Sequence, residues 1–168
     1  MTNYLLSIDP SGTGTTAIFN KNDNNFELIK SENWLHHFLR IKQKILLLQN
    51  KLELIIYFET VKSAYNNQNA DLVPLIKLCG ALESYLTINN INYKTVTSDQ
   101  VKRYVRWFDK IKGLLEKELT YVRNIKMINF CNKTGLNKDK NKWFYNNEKI
   151  NAHQRDSILI YWIIKENK

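Results

Sequence analysis

The chain has 168 residues and a mass of 20.0 kDa, enough for one core but short for two, so a single domain spanning 1–168 is expected. A formal net charge of +9 and a pI of about 9.5 favour a polyanionic partner and disfavour cationic ligands. An apolar fraction of 43% with five Gly and two Pro excludes collagen-like and low-complexity material, and two cysteines, Cys79 and Cys131, are too few for a disulfide framework or a zinc cluster. No apolar run approaches the roughly 18 residues of a membrane span, and no basic stretch followed by an apolar one opens the chain. A cytoplasmic protein without membrane association is expected.

In chain order, Tyr4–Ile8 is a short apolar run ending at Asp9. Pro10-Ser11-Gly12-Thr13-Gly14 then leads into a β-branched run from Thr15 to Phe19, which predicts strand, tight loop, strand. The polar Asn20–Asn25 stretch reads as a turn and the extended pattern resumes at Phe26–Ile29, so three antiparallel strands open the fold. From about Phe38 to Leu52, Ile41, Ile45, Leu48 and Leu52 recur at intervals of three and four, the pattern of an amphipathic helix. Leu54–Phe58 is wholly apolar and ends at Glu59, as a strand buried on both faces would, and its place after a helix predicts parallel pairing with the first strand.

A second helical pattern covers Asp71–Leu86, with Pro74 near its start and Gly80 inside. Tyr93–Val96 is a short strand, and Ser98 and Asp99 are cap candidates for a basic helix from about Gln100. A further helix is predicted from about Leu114 to Cys131, residues 132–149 read as a polar loop rich in Lys and Asn, and Asn151 caps a last helix running to about Lys165. The order β-β-β-α-β-α-β-α predicts an α/β fold with a mixed sheet.

The charge is unevenly placed. Residues 1–100 are neutral overall, whereas 101–149 hold +8 and 150–168 hold +1. A charge run is ordinarily a solvated face, so its company decides its meaning. On the predicted basic helix, Lys102, Arg103, Arg106 and Lys110 are followed by Lys112 and Lys117, and Lys102 and Arg106 lie one turn apart, suited to tracking a phosphate backbone. Arg103 has an alternative as a solvated residue. Trp143-Phe144-Tyr145, set among lysines, has nucleic-acid-like character, with at least one ring expected to be buried.

Two apolar strands that each end in a lone carboxylate, Asp9 and Glu59, carry the main chemical signal. If adjacent and parallel, both acids emerge at one sheet edge, where open α/β folds place their sites. His153 and Asp156, three residues apart, add a helix face. Taken singly, Asp9 could be a turn residue, His153 a surface or capping residue, and Asp156 a partner for Arg155. Together the four could hold one or two divalent cations, which in a two-metal site activate water and stabilise the leaving oxygen of a phosphodiester. Carboxylates suit Mg²⁺, and an imidazole shifts the preference toward Mn²⁺ or later metals.

The segments Leu6-Ser7-Ile8-Asp9-Pro10-Ser11-Gly12-Thr13-Gly14, Glu59-Thr60-Val61 leading into a helix with Gly80-Ala81, and Ala152-His153-Gln154-Arg155-Asp156-Ser157 resemble the RuvC family of Holliday-junction resolvases, in order and over nearly the whole chain. The resemblance implies a ribonuclease-H-like fold, a five-stranded mixed β-sheet flanked by α-helices, with strands one and four carrying the first two acids. It also implies a homodimer that binds four-way DNA junctions and makes paired symmetric nicks using two Mg²⁺ ions per active site, acting in DNA recombination and repair. By position, Asp9, Glu59 and Asp156 match the family's metal-binding acids. His153 stands where an Asp is commonest, which leaves Mg²⁺ against Mn²⁺ open. In relatives an apolar or aromatic side chain after the second acid helps open bases at the junction centre; here Lys62 is the nearest position and Tyr65 the closest aromatic, either a stacking group or a loop anchor. Lys102 and Lys117 resemble the family's DNA-contacting basic positions. The helix bearing Leu72, Leu75, Ile76, Leu78, Cys79 and Leu82 is the implied dimer interface.

Two alternatives share the nucleic-acid class: a nuclease of the same fold acting on other branched DNA or RNA:DNA hybrid, and a non-catalytic branched-DNA-binding protein. Asp9–Thr16 also resembles the first phosphate loop of the actin-like fold, but the second loop and second domain that such proteins need are missing, and no Gly-Lys-Ser/Thr forms a Walker A loop.

Overall fold

The computed structural model describes residues 4–49, 53–61 and 72–167. Along the chain run β1 (Tyr4–Asp9), β2 (Gly14–Asn20), β3 (Asn25–Ser31), α1 (Trp34–Gln49), β4 (Leu54–Thr60), α2 (Leu72–Ile88), β5 (Asn92–Thr97) and α3 (Ser98–Lys112). After a short 3-10 turn at Glu116–Glu118 come α4 (Val122–Thr134), β6 (Leu136–Asp139), β7 (Lys142–Tyr145), β8 (Glu148–Ile150) and α5 (Ala152–Glu166). The first five strands form one sheet in the order β3-β2-β1-β4-β5, antiparallel between β1, β2 and β3 and parallel between β1, β4 and β5. The α/β architecture with a mixed five-stranded sheet is thus the one expected.

Strand alternation divides the core in two. Leu6 and Ile8 of β1, Ile18 of β2, and Ile56 and Phe58 of β4 face Ile41 and Ile45 of α1 and Leu78, Leu82 and Leu86 of α2. On the opposite face, Phe19, Tyr57 and Val96 pack against α5, with Val101 and Phe108 of α3 and Phe130 of α4 behind it. Helix α5 is buried from Ser157 through Tyr161 and again at Ile163 and Ile164, nearly all round, because it touches the sheet on one side and α3, α4 and β7 on others.

One hydrogen bond sets how α5 lies on the sheet. The Ser7 hydroxyl of β1 donates to the Ser157 carbonyl at 2.6 Å, both residues being fully buried. Two small side chains let helix and strand approach closely there. The start of α5 is fixed by Asn151, as its sequence suggests: Asn151 Oδ1 accepts from the Gln154 amide at 2.9 Å, and Gln154 Oε1 accepts from the Asn151 amide at 3.0 Å. Helix α3 is capped one residue earlier than expected, where Gln100 Oε1 accepts from the Thr97 amide at 2.8 Å. Helix α1 likewise begins early, because Asn33 Oδ1 accepts from the Leu35 amide at 2.9 Å.

Two expectations are corrected. Residues 132–149 are not a loop: α4 continues to Thr134, Gly135 ends it at φ 71°, and β6, β7 and β8 form a three-stranded antiparallel sheet. Tyr145 pairs with Glu148, so Asn146 and Asn147 form a two-residue hairpin loop at φ 49° and 70°, a left-handed geometry that Asn tolerates. Leu136, Trp143, Tyr145 and Ile150 turn inward, while many of the lysines and asparagines that suggested a loop are exposed. The helix expected over Leu114–Cys131 starts only at Val122, since Leu115, Leu119 and Tyr121 stay exposed and a longer helix there would bury no apolar face. Cys79 and Cys131 are free and buried, and burial pushes both thiols up to about 12. Among the described residues no helix is long and apolar enough to cross a membrane.

Replacing Ser7 by Val should force α5 off β1 and remove a buried hydrogen bond, costing about 2 kcal/mol. Chemical denaturation should show a lower midpoint with an unchanged slope; an unchanged midpoint would mean that the Ser7–Ser157 contact does not fix the helix.

Candidate metal centre and nucleic-acid cleft

The pairing of β1 with β4 places Ile8 opposite Phe58, so Asp9 and Glu59 occupy the next position of the same register. Ile8 and Phe58 point into the α1/α2 core, and alternation turns the two acids to the other face, toward α5. The first turn of α5 meets them. His153 Nδ1 lies 2.8 Å from Asp9 Oδ2, donating in the tautomer that leaves the carboxylate ionised. Asp156 sits one turn further along and is held by Arg155, whose Nε donates to Oδ1 at 2.7 Å and Nη2 to Oδ2 at 2.9 Å.

The loop after Asp9 is tied down on both sides. The Ser11 amide donates to Thr16 Oγ1 at 2.9 Å, and Gly12 lies so close to the start of α2 that a Cβ there would come within 2.2 Å of the Leu75 nitrogen and 2.4 Å of the Pro74 carbonyl carbon. Only glycine lets this loop and α2 meet.

Burial shapes the electrostatics. Asp9 is pushed up to about 6, mainly by burial; the His153 hydrogen bond opposes the shift and the charge of Asp156 adds to it. Glu59 is pushed up to about 8 by burial and then by Asp9 and Asp156, against the pull of Lys102. Its carboxylate has no hydrogen bond or ion pair among the described residues. His153 is raised chiefly by its bond to Asp9. Asp9 and Glu59 are therefore short of positive charge, and with Asp156 and His153 beside them the donor set of hard oxygens with one nitrogen fits Mg²⁺ or Mn²⁺. In this conformation, among the described residues, no group of three His, Cys, Asp or Glu side chains is gathered into a cage. Asp156 faces Arg155, and Asp9 faces His153.

Beside the acids lies a cleft of about 460 Å³ lined by Val101, Lys102, Val105, Arg106, Arg155 and Asp156. A second of about 320 Å³ runs from Glu59 and Thr60 past Thr97 and Asp99, and Lys102 lines both. Lys102 and Arg106, matched by spacing, thus flank the acids together. Arg103 and Lys110 are exposed on α3 without lining either cleft. Lys112 donates to the Lys138 carbonyl of the small sheet, and Lys117 is exposed in the 3-10 turn. Lys62 and Tyr65 lie outside the described residues.

Sequence reasoning took Arg155 only as a partner for Asp156 and missed the shelf beneath it. Its guanidinium carbon lies 5.1 Å from the centre of the Trp143 ring, which packs edge-on against Phe108 at 5.0 Å. The alternation of Trp143 and Tyr145 was the available signal for an inward face on β7. On α2, Leu78, Cys79 and Leu82 are consumed by the core, Leu72 and Leu75 are half-buried, and Ile76 is exposed beside Val73.

No protein-family model and no curated protein sequence matches the chain. Among solved structures, the chain is similar to Thermus thermophilus RuvC in complex with a Holliday-junction substrate, at 13% identity over 97% of this chain and 96% of that one, with a TM-score of 0.52. Another Thermus thermophilus RuvC structure aligns at 14% identity over 98% and 96%, with a TM-score of 0.49. The chain therefore has the ribonuclease-H-like fold of RuvC, a mixed five-stranded sheet flanked by helices.

Asp9, Glu59 and His153 all have folded pKa values raised above the unfolded ones, so each contributes stability at low pH that is lost as pH rises through the folded value. In chelator, the melting temperature should fall between about pH 4.5 and pH 8, the span of the Glu59 shift, and Glu59→Gln should flatten the fall. A melting temperature that rises across this range would contradict the assigned shifts.

Proposed function

We propose that the protein is a metal-dependent, structure-selective DNA endonuclease that resolves four-way junctions by paired symmetric nicks, as a homodimer, in DNA recombination or repair. The observation that carries the reading is the meeting of Asp9 and Glu59, two strand-end acids short of positive charge, with His153 and Asp156 beside a cleft lined by Lys102, Arg106 and Arg155. The RuvC fold supports it, as does the similarity to T. thermophilus RuvC in a structure where that protein is in complex with a Holliday-junction substrate.

Asp9, Glu59, Asp156 and His153 are the residues that would hold Mg²⁺ or Mn²⁺. Bound there, divalent cations supply Lewis-acid polarisation of the scissile phosphate and an acidified water. The chain's own groups supply the rest. His153 fixes the orientation of the Asp9 carboxylate and can carry a proton at Nδ1. Lys102 and Arg106, one turn apart on α3, grip consecutive phosphates of the strand laid over the acids. Val101 and Val105 give the cleft an apolar lining against which sugar and base can lie. Family resemblance supports Lys62 or Tyr65 near the junction centre and α2 as the dimer contact, where Val73 and Ile76 remain exposed.

A second reading has one observation in its favour. With Asp156 held by Arg155, the fold could serve a non-catalytic protein that binds branched DNA.

Purified protein incubated with four-way, flap, RNA:DNA hybrid and linear duplex substrates in Mg²⁺ and in Mn²⁺ separates the readings. The four-way junction should be nicked symmetrically, and Asp9→Asn should abolish nicking while leaving junction binding nearly intact. Tight junction binding with no nicks in either metal would establish the second reading. Changing Lys102 and Arg106 together to Gln should weaken junction binding and reduce the slope of log affinity against log salt by about 2, near one unit per lost phosphate contact. An unchanged slope would place the DNA on another face.

A further inference from the structure

We propose that Arg155 is a positioning residue that competes with a divalent cation for Asp156, and that DNA phosphate in the adjoining cleft draws it away. The proposal rests on the metal-site reading above. Neighbouring residues on a helix do not ordinarily face each other. Here the Arg155 guanidinium nevertheless folds back along α5 to take both oxygens of Asp156, at 2.7 and 2.9 Å, with the two side chains only 16% and 21% exposed. An aromatic support holds it there: the Trp143 ring, 5.1 Å away, is presented by the small β-sheet and seated against Phe108. Among the described residues, Asp156 is the one site acid whose two oxygens are both taken by a cation of the chain.

The occupied oxygens belong to the carboxylate whose charge is felt by both Asp9 and Glu59, so a cation that neutralises the cluster needs them. Arg155 also lines the cleft with Lys102 and Arg106, within which phosphate would lie. A guanidinium fork matches carboxylate and phosphate alike. Phosphate entering the cleft therefore offers Arg155 a second anion and frees Asp156. By linkage, cation and phosphate then strengthen each other's binding by the same factor. The site is completed only when DNA is present, and neither Arg155 nor Asp156 is left unpaired in either state.

The test is Mn²⁺ binding by isothermal titration without DNA. Arg155→Gln should bind about tenfold more tightly than the unmodified protein, the scale expected for losing a charge-assisted bond. Arg155→Lys keeps the charge but not the fork and should also bind more tightly. Arg106→Gln removes the same charge from the same cleft without touching Asp156, and its gain should be smaller. Melting by circular dichroism identifies any variant that fails to fold, and Arg155→Lys keeps most of the packing on Trp143. Repeated on a four-way junction with uncleavable linkages, the difference between the unmodified protein and Arg155→Gln should shrink. Equal affinities for the unmodified protein, Arg155→Lys and Arg155→Gln, or equal gains for Arg155→Gln and Arg106→Gln, would overturn the role of Arg155 and leave the metal site standing. Absence of Mn²⁺ binding in every protein would overturn both.

Discussion

Everything at the candidate site depends on how α5 registers on β1. Ser7 lies two residues before Asp9 on the same strand face, and Ser157 lies next to Asp156, so the 2.6 Å bond between Ser7 and the Ser157 carbonyl ties the end of β1 to the first half of α5 beside Asp9 and Asp156. Sliding α5 by one turn would move it by about 5.4 Å and take His153 out of reach of Asp9. Such sliding is blocked, because α5 is enclosed nearly all round by the sheet and by α3, α4 and β7. A helix with one exposed face could shift; this one has its position dictated by packing, and the chemistry inherits that position.

The same enclosure creates an electrostatic deficit. Asp9 and Glu59 come together because parallel pairing carries two apolar strands to a common edge, and burial then makes their charges costly. Three side chains answer in different ways: His153 hydrogen-bonds Asp9, Arg155 binds Asp156, and Lys102 acts on Glu59 across the cleft. The +8 of residues 101–149 thus splits into two parts. Lys102 and Arg106 line the clefts that the acids border, whereas Lys112 and Lys117 lie away from those clefts and contribute to the longer-range field that draws a polyanion in.

Much of this was legible in the sequence where local pattern and tertiary role coincide. Leu54–Phe58 is continuously apolar because β4 is central and covered on both faces, and an acid closing such a run stands out. Asn151 announced the start of α5 because a capping residue acts on its own backbone. The small sheet was illegible because its strands are only three or four residues long, and Asn146-Asn147 is a weaker turn signal than Asn-Gly. The helix expected from Leu114 failed for the opposite reason: its apolar periodicity was present, but no core stood opposite Leu115 and Leu119. The seat of Arg155 on Trp143 joins residues twelve apart through a strand that local pattern does not reveal, so adjacency to Asp156 was visible and the shelf was not.

The raised pKa values bear on why such a cluster exists at all. A carboxylate whose folded pKa exceeds its unfolded one weakens the fold at neutral pH, and Glu59, pushed up to about 8 with no partner among the described residues, does so most. A protein that only gripped branched DNA would be improved twice by a neutral residue at that position, once in its own stability and once by removing a charge that repels phosphate. Neither Asp9 nor Asp156 would help it either, since each raises the pKa of Glu59. The arrangement becomes favourable when a divalent cation neutralises the acids, at which point the repulsion that destabilises the fold turns into affinity for the ion and, through it, for the phosphate that Lys102 and Arg106 hold nearby. Destabilising acids placed beside a cleft lined by Lys102, Arg106 and Arg155 are therefore the strongest physical reason for reading the site as hydrolytic rather than as a DNA clamp.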